Sequence, residues 1–128
     1  MKTFIVALII FALLCGAIFG VSSFVLGRIS ELSGLALALA EDEAEFFPPS
    51  ERLLSGTEEF FALWDKSMRV FPYIMGYEML DRADEAALSL RSYAKSGERA
   101  EFLAAKMRFL DSVERLRELF SVRFESIA

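Results

Sequence analysis

The longest uncharged stretch of this chain lies at its start and constrains every later inference. From Thr3 to Gly27 there is no charged residue, and the 23 residues from Phe4 to Leu26 are apolar except for two serines. A helix of about 20 apolar residues is long enough to cross the hydrocarbon core of a bilayer. The sequence therefore predicts a membrane-spanning helix over residues 1–28, with the rest of the chain attached to it.

The alternative interpretation of this stretch is a cleaved secretory signal, which has a shorter apolar core of about 7–15 residues before its cleavage site. Here the apolar run continues from Val21 to Leu26, beyond the small residues that a peptidase would recognise. We therefore expect an uncleaved signal-anchor in a cell membrane. Lys2 precedes the span and Arg28 follows it, and with the N-terminal amine this favours a cytoplasmic N-terminus and an extracytoplasmic domain.

Small residues recur every four positions within the predicted span, at Ala12, Gly16 and Gly20. Such a stripe lets two membrane helices approach closely, so these residues form a candidate dimer face. Glycine is also frequent in membrane helices for other reasons. Ordinary membrane-helix composition is therefore the alternative interpretation of this stripe.

Composition argues against several classes of function. The chain of 128 residues has no histidine, and its single cysteine, Cys15, lies within the apolar run. Histidine is the commonest general base and metal ligand, and one cysteine allows no intrachain disulfide. The sequence also lacks the basic cluster that nucleic-acid binding requires. We therefore expect no enzymatic activity, no cofactor and no nucleic-acid partner.

Acidic residues are concentrated soon after the span. From Glu31 to Phe60 there are eight acids and one base, whereas from Phe61 to Ala128 there are 11 acids and 11 bases. Four of these acids lie between residues 41 and 45, and such runs are usually solvated. The alternative is that this run keeps a stalk off the lipid surface or loosely holds divalent ions.

Apolar periodicity predicts an all-α fold, in which the transmembrane helix is followed by a small bundle of three to four helices. Near-heptad spacing of Ile29, Leu32 and Phe46 predicts a juxtamembrane helix over residues 29–47, which continues from the span as a stalk. This helix must end before the proline pair that follows it. Residues 48–56, with Pro, Ser and Gly, are predicted to be a linker.

The remaining residues, 57–128, are predicted to form a helical bundle domain. Ser55 and Glu58 fit a capping box, which favours the start of a second helix near Thr57 that ends near Val70. Apolar spacing then predicts two long helices, joined by a glycine turn as a C-terminal antiparallel hairpin. We expect these helices over residues 73–95 and 98–120, with Lys106 snorkelling from the buried stripe and residues 121–128 as a tail packed on the bundle.

Several motifs in the second half of the chain are typical of one family of domains. They are Trp64-Asp65-Lys66, Glu78, Asp81, Asp84, Leu90, Tyr93-Ala94-Lys95 and Val122–Ile127. On these motifs the second half resembles a numbered bacterial family of domains of unknown function, whose members are short single-pass proteins with one N-terminal apolar helix and a helical remainder. The resemblance implies a membrane-anchored helical domain and no known reaction. Members tend to carry a histidine where this sequence has Tyr77.

Four acids crowd one side of the predicted third helix, at Glu78, Asp81, Asp84 and Glu85. They form a candidate docking patch for a basic partner, or a cation site. A straight helix wraps calcium poorly, however, and a dinuclear iron site would need histidine. The alternative is an ordinary solvated face, paired with Arg82 or with bases of the fourth helix.

Trp64 and the neighbouring phenylalanines Phe60, Phe61 and Phe71 could line a ligand pocket or touch the membrane interface. Their helical spacing favours core packing. The sequence as a whole favours an interaction or structural module of the bacterial envelope, whose partner is another membrane or envelope protein or a second copy. A ligand-sensing domain that signals through a membrane partner is the alternative, and a carboxylate-based enzyme is a minor one.

Overall fold

The computed structural model describes residues 1–39 and 42–127, with the backbone alone from residue 121 onward. It is all-α, as predicted. We call residues 2–21 of the first helix the apolar half and residues 22–37 the bundle half. The helices are α1 (Lys2–Leu37), a short 3-10 helix (Glu43–Glu45), α2 (Glu51–Met68), α3 (Phe71–Met75), α4 (Tyr77–Ser96) and α5 (Arg99–Ile127).

The bundle half of α1 packs with α2, α4 and α5 as a four-helix bundle. α1 contacts α2 and α5, and α4 contacts the same two helices, so α1 and α4 lie at opposite corners. α4 and α5 form the predicted antiparallel hairpin. Gly97 ends α4 with a φ of 73°, and a Cβ at this position would lie 2.5 Å from the Phe46 carbonyl oxygen. Only glycine fits this turn without displacing the backbone beside it.

Most of the core consists of the apolar stripes that the sequence predicts, and it also includes Val25, which was predicted in the span, and Leu53, which was predicted in the linker. At its centre the Phe109 ring lies edge-to-face with Phe60 and Trp64, at centroid distances of 4.7 and 5.2 Å. Such pairs contribute beyond the apolar area that they bury. Predicted stripe residues that are buried are Ile29, Leu32, Ala36, Leu39, Phe46, Phe60, Trp64, Leu80, Ala83, Ala87, Leu90, Ala94, Phe102, Phe109, Val113 and Leu116.

α1 is continuous with the apolar run, as predicted, but it ends ten residues sooner than the juxtamembrane helix predicted over residues 29–47. The Lys106 amine donates to the carbonyl oxygens of Leu37 and Leu39, at 3.4 and 3.5 Å. The positive charge of Lys106 is favourable beside the C-terminus of α1, whereas the acidic residues that follow α1 would be unfavourable as a last turn of the helix. Lys106 is only 3% exposed, so the prediction that it snorkels is wrong.

α2 begins six residues earlier than predicted, inside the segment predicted to be a linker. Ser50 is its N-cap, because the Ser50 hydroxyl accepts a hydrogen bond from the Leu53 amide at 3.0 Å. The capping box predicted at residues 55–58 is therefore wrong. Gly56 is tolerated inside the helix, where a Cβ would lie 3.6 Å from the Leu39 side chain, an ordinary packing distance.

The predicted third helix is two helices, α3 and α4. Gly76 separates them with φ 80° and ψ 161°, a conformation that other residues rarely adopt. Tyr77 is exposed rather than on the buried stripe, because it is the first residue after this break. α5 continues past its predicted end at Phe120 to Ile127. The packing predicted for the side chains beyond Phe120 lies outside the described part of the structure.

Candidate functional surfaces

The apolar half of α1 is an extended apolar surface that no other described part of the chain covers. Residues 1–21 are all exposed, and none of the most apolar 18-residue window is buried. Phe4 and Leu13 are 72% and 69% exposed. The helix is long and apolar enough for a single membrane anchor, and it is equally compatible with a signal sequence. A continuous apolar surface of this kind indicates an apolar environment outside the folded chain.

The small-residue stripe of the predicted dimer face lies on this half. Ala12 is exposed, and no heavy atom lies within 4 Å of a Cβ built on Gly16 or on Gly20. The stripe is therefore free of contacts within the described residues of one chain. Its role in dimerisation stays a prediction.

Arg28 ties α1 to the end of α2, about two turns beyond the apolar half. Its guanidinium lies 5.0 Å from the centroid of the Phe24 ring, and its Nη1 donates to the Ser67 hydroxyl at 3.2 Å. Ser67 donates in turn to the Leu63 carbonyl oxygen at 2.8 Å. These contacts fix the direction in which the apolar half leaves the bundle.

The four acids of the predicted docking patch have different surroundings. Asp84 is half-buried and accepts a hydrogen bond from the Trp64 indole Nε1 at 2.9 Å, so it satisfies a core side chain. Glu78, Asp81 and Glu85 are exposed. In the described residues no group of three or more His, Cys, Asp or Glu side chains could hold a metal ion. A docking role for the exposed acids stays a prediction.

Glu78 and Glu85 border a groove between α4 and α5 that sequence patterns did not reveal. The groove consists of two adjoining cavities of about 220 and 260 Å³, which share Arg82, Ser112 and Arg115, and the second cavity reaches past Glu78 to Leu119. Arg115 pairs with Asp111 at 3.3 Å. Three arginines and three acids line the groove, which gives it a mixed-charge surface: Arg82, Arg108, Arg115, Glu78, Glu85 and Asp111.

The acidic run lies far from the apolar half in space, although it is close in sequence. The 16 residues of the bundle half intervene, which corresponds to about 24 Å of helix. Charges separated by more than about 8–10 Å are largely screened in physiological salt. This distance argues against a role of Asp42, Glu43 and Glu45 in repelling a lipid surface, which stays a prediction, and Glu41 lies outside the described residues. Glu45 instead accepts a hydrogen bond from the Ser50 hydroxyl.

The aromatic cluster belongs to the core, which confirms the favoured prediction. Trp64, Phe60 and Phe71 are at most 1% exposed. Phe61 is partly buried and lies under the Arg91 guanidinium, 4.7 Å from its ring centroid. The three buried rings are therefore not the lining of an open pocket.

Two exposed tyrosines near the start of α4 also escaped sequence analysis. Tyr73 is 91% exposed and Tyr77 is 67% exposed. The signal that could have identified Tyr73 is its position midway between Phe71 and Met75, because residues two apart in a helix lie on opposite faces.

No family model, curated protein or solved structure matches this chain. The resemblance to the bacterial family therefore stays a prediction. Function must be inferred from the surfaces of the molecule itself.

Proposed function

We propose that this is a single-pass membrane protein of the bacterial envelope, whose extracytoplasmic bundle is a protein-interaction or structural module. The observation that carries the proposal is the exposed apolar half of α1 and its direct continuity with a core helix. Its 20 residues correspond to about 30 Å of helix, the thickness of a bilayer's hydrocarbon core.

The orientation follows from the charges beside this half. Lys2 is exposed at one end of α1. At the other end Arg28 is half-buried and bonded to Ser67, so it belongs to the fold of the bundle. The positive-inside rule counts bases in short flanking segments. Lys2 therefore favours the cytoplasmic side, which puts the bundle outside.

An interaction role is favoured over ligand sensing by the contrast between core and surface. The aromatic rings around Phe109 pack at edge-to-face distances. The groove between α4 and α5, in contrast, is open to solvent and carries charges of both signs. A mixed-charge surface fits another protein with complementary charges better than a small apolar ligand. The partner is another envelope or membrane protein, or a second copy.

The anchor is tested by the mature N-terminus and by the accessibility of the bundle. We expect the protein purified from membranes to retain residues 1–20. A Cys15→Ala, Ser92→Cys variant should react with a membrane-impermeant maleimide in cells whose outer permeability barrier has been removed. A mature chain beginning near Val21 would refute the anchor. Labelling only after lysis of the inner membrane would refute the orientation.

The interaction role is tested by crosslinking the full-length protein in its native membrane, followed by mass spectrometry. We expect a recurrent partner, or a self-crosslinked dimer, that is lost in Arg115→Glu. Arg69→Glu is the matched control, because Arg69 is also an exposed arginine in an i,i+4 pair, with Asp65. Equal capture by both variants would exclude the groove, and recovery of the protein alone would contradict the interaction role.

A further inference from the structure

Contacts between antiparallel helices show which residue of α1 lies at the same height along the bundle as a given residue of another helix. Arg28 of α1 donates to Ser67 of α2, and Leu39, two residues beyond the end of α1, lies beside Gly56 of α2. Eleven residues separate the two contacts on each segment, so α1 and α2 run antiparallel with nearly matched spacing. Ser67 therefore lies at about the level of Arg28, close to the base of the bundle, where the apolar half leaves it.

The start of α4 lies lower still. Trp64 bonds to Asp84, and Glu58 pairs with Arg91 at 2.9 Å, so α4 rises as α2 descends. These contacts put Asp81 of α4 opposite Ser67 of α2. Tyr77, four residues earlier in α4, therefore lies roughly 6 Å nearer to the apolar half than Ser67 does. This is the level of Phe24 in α1, within the last turn of the apolar run.

The base of the bundle carries an exposed apolar and aromatic surface at this level. α3 connects α2 to α4 here, with Phe71 and Met75 buried. Tyr73 lies between them on the opposite face and is 91% exposed. Val70 and Tyr77, at 42% and 67% exposure, flank α3 on either side. We call these three residues, Val70, Tyr73 and Tyr77, the base surface.

We propose that the base surface docks on the lipid headgroup region of the membrane that holds α1. Tyrosine is enriched at this depth because its ring is apolar and its hydroxyl can stay hydrated. The base surface lies at the level where the apolar run ends, so a bilayer around the apolar half meets it directly. The proposal rests on the membrane anchor and adds a second contact, which fixes the tilt of the bundle on the membrane.

The test measures the depth of single labelled positions in the full-length protein. Each variant carries Cys15→Ala and one new cysteine bearing an environment-sensitive fluorophore, and is reconstituted into phosphatidylcholine–phosphatidylglycerol vesicles. A nitroxide attached near the lipid headgroup is the quencher. The positions are Tyr73→Cys on the base surface and Leu8→Cys in the apolar half. Met107→Cys is the control, because Met107 is also a largely exposed apolar residue, 72%, next to Lys106 at the far end.

We expect a roughly twofold loss of emission at position 73 when nitroxide lipid is present, as for a residue at interfacial depth, and no loss at position 107. Position 8 should be shielded from an aqueous quencher. Failure of that shielding would overturn the anchor itself. With position 8 shielded, an unquenched position 73 would overturn only the base-surface proposal. Equal quenching at positions 73 and 107 would also overturn it, because the bundle would then lie on its side.

Discussion

The two halves of α1 are one helix in two environments. In the apolar half every residue is exposed, whereas in the bundle half Val25, Ile29, Leu32 and Ala36 are completely buried. The apolar half is apolar on all sides, but the bundle half is apolar on one stripe. A helix that is apolar on all sides requires an apolar environment on all sides. A helix with a single apolar stripe requires packing partners on that side only.

The transition between the halves takes place within a single turn. Val25 is buried in the bundle, while its neighbour Phe24 is 41% exposed beneath the Arg28 guanidinium. Both residues belong to the same apolar run. The apolar run therefore ends later than the apolar half, and its last turn has one exposed apolar face and one face in the protein core.

Introducing a charge should show the largest difference between the two halves of α1. Ile29→Asp places an unpaired carboxylate in the core and should unfold the bundle, because removing a charge from water costs several kcal/mol. Ile9→Asp should leave the bundle folded and reduce membrane insertion, since a central Asp costs about 2.5–3.5 kcal/mol there. Circular dichroism melts in mild detergent and flotation with vesicles measure the two effects. If Ile9→Asp also unfolds the bundle, the halves are not independent.

Shortening a leucine side chain to alanine should give a smaller difference between the two halves. Leu32→Ala removes a fully buried side chain and should lower the free energy of unfolding by about 2–5 kcal/mol. Leu13→Ala removes the same atoms from the apolar half and should change it by less than about 0.5 kcal/mol. Urea titration in detergent measures both. Comparable losses would mean that the apolar half folds back on the bundle.

Removing the polar contact at either end of the bundle half should lower the free energy of unfolding by smaller amounts, which differ between the two ends. Lys106→Met keeps the apolar stem but leaves the Leu37 carbonyl and the buried Leu39 carbonyl without the amine. The expected cost is about 1–3 kcal/mol. Arg28→Met removes a bond to Ser67, whose hydroxyl keeps its bond to the Leu63 carbonyl. We therefore expect a smaller loss, about 0.5–1.5 kcal/mol. A larger loss for Arg28→Met in the same titration would reverse the assignment of the stronger tie.

Sequence patterns were sufficient for the fold class because burial in this bundle follows local periodicity. Ile29, Leu32 and Ala36 could be assigned to the core from spacing alone, since the 3.6-residue period selects one face. The start of α2 could not be assigned, because Gly56 suggested a linker. Gly56 is helical because it lies inside a helix that begins at the Ser50 cap and buries Leu53 in its first turn, and that burial depends on neighbouring helices.

The candidate surfaces were harder to predict from the sequence, because they too depend on contacts between different helices. Asp84 matched the exposed acids in spacing, yet it is held by the Trp64 indole on another helix. The groove arginines come from two helices, and the level of Tyr77 along α1 follows only from contacts of α2 with α1 and α4. Local patterns give the face of a residue, whereas a surface also requires the relative heights of neighbouring helices.

The smallest contrast concerns the glycines of α1, where the same chemical change meets the two environments. Gly34 is exposed in the bundle half, and a Cβ there would meet nothing within 4 Å. Gly34→Ala should stabilise the bundle by about 0.5–1 kcal/mol through helix propensity. Gly20→Ala also meets no atom, but it lies in the apolar half and should leave the unfolding free energy of the bundle unchanged. A shift in detergent-resistant dimer for Gly20→Ala alone would instead indicate that the small-residue stripe is used between copies.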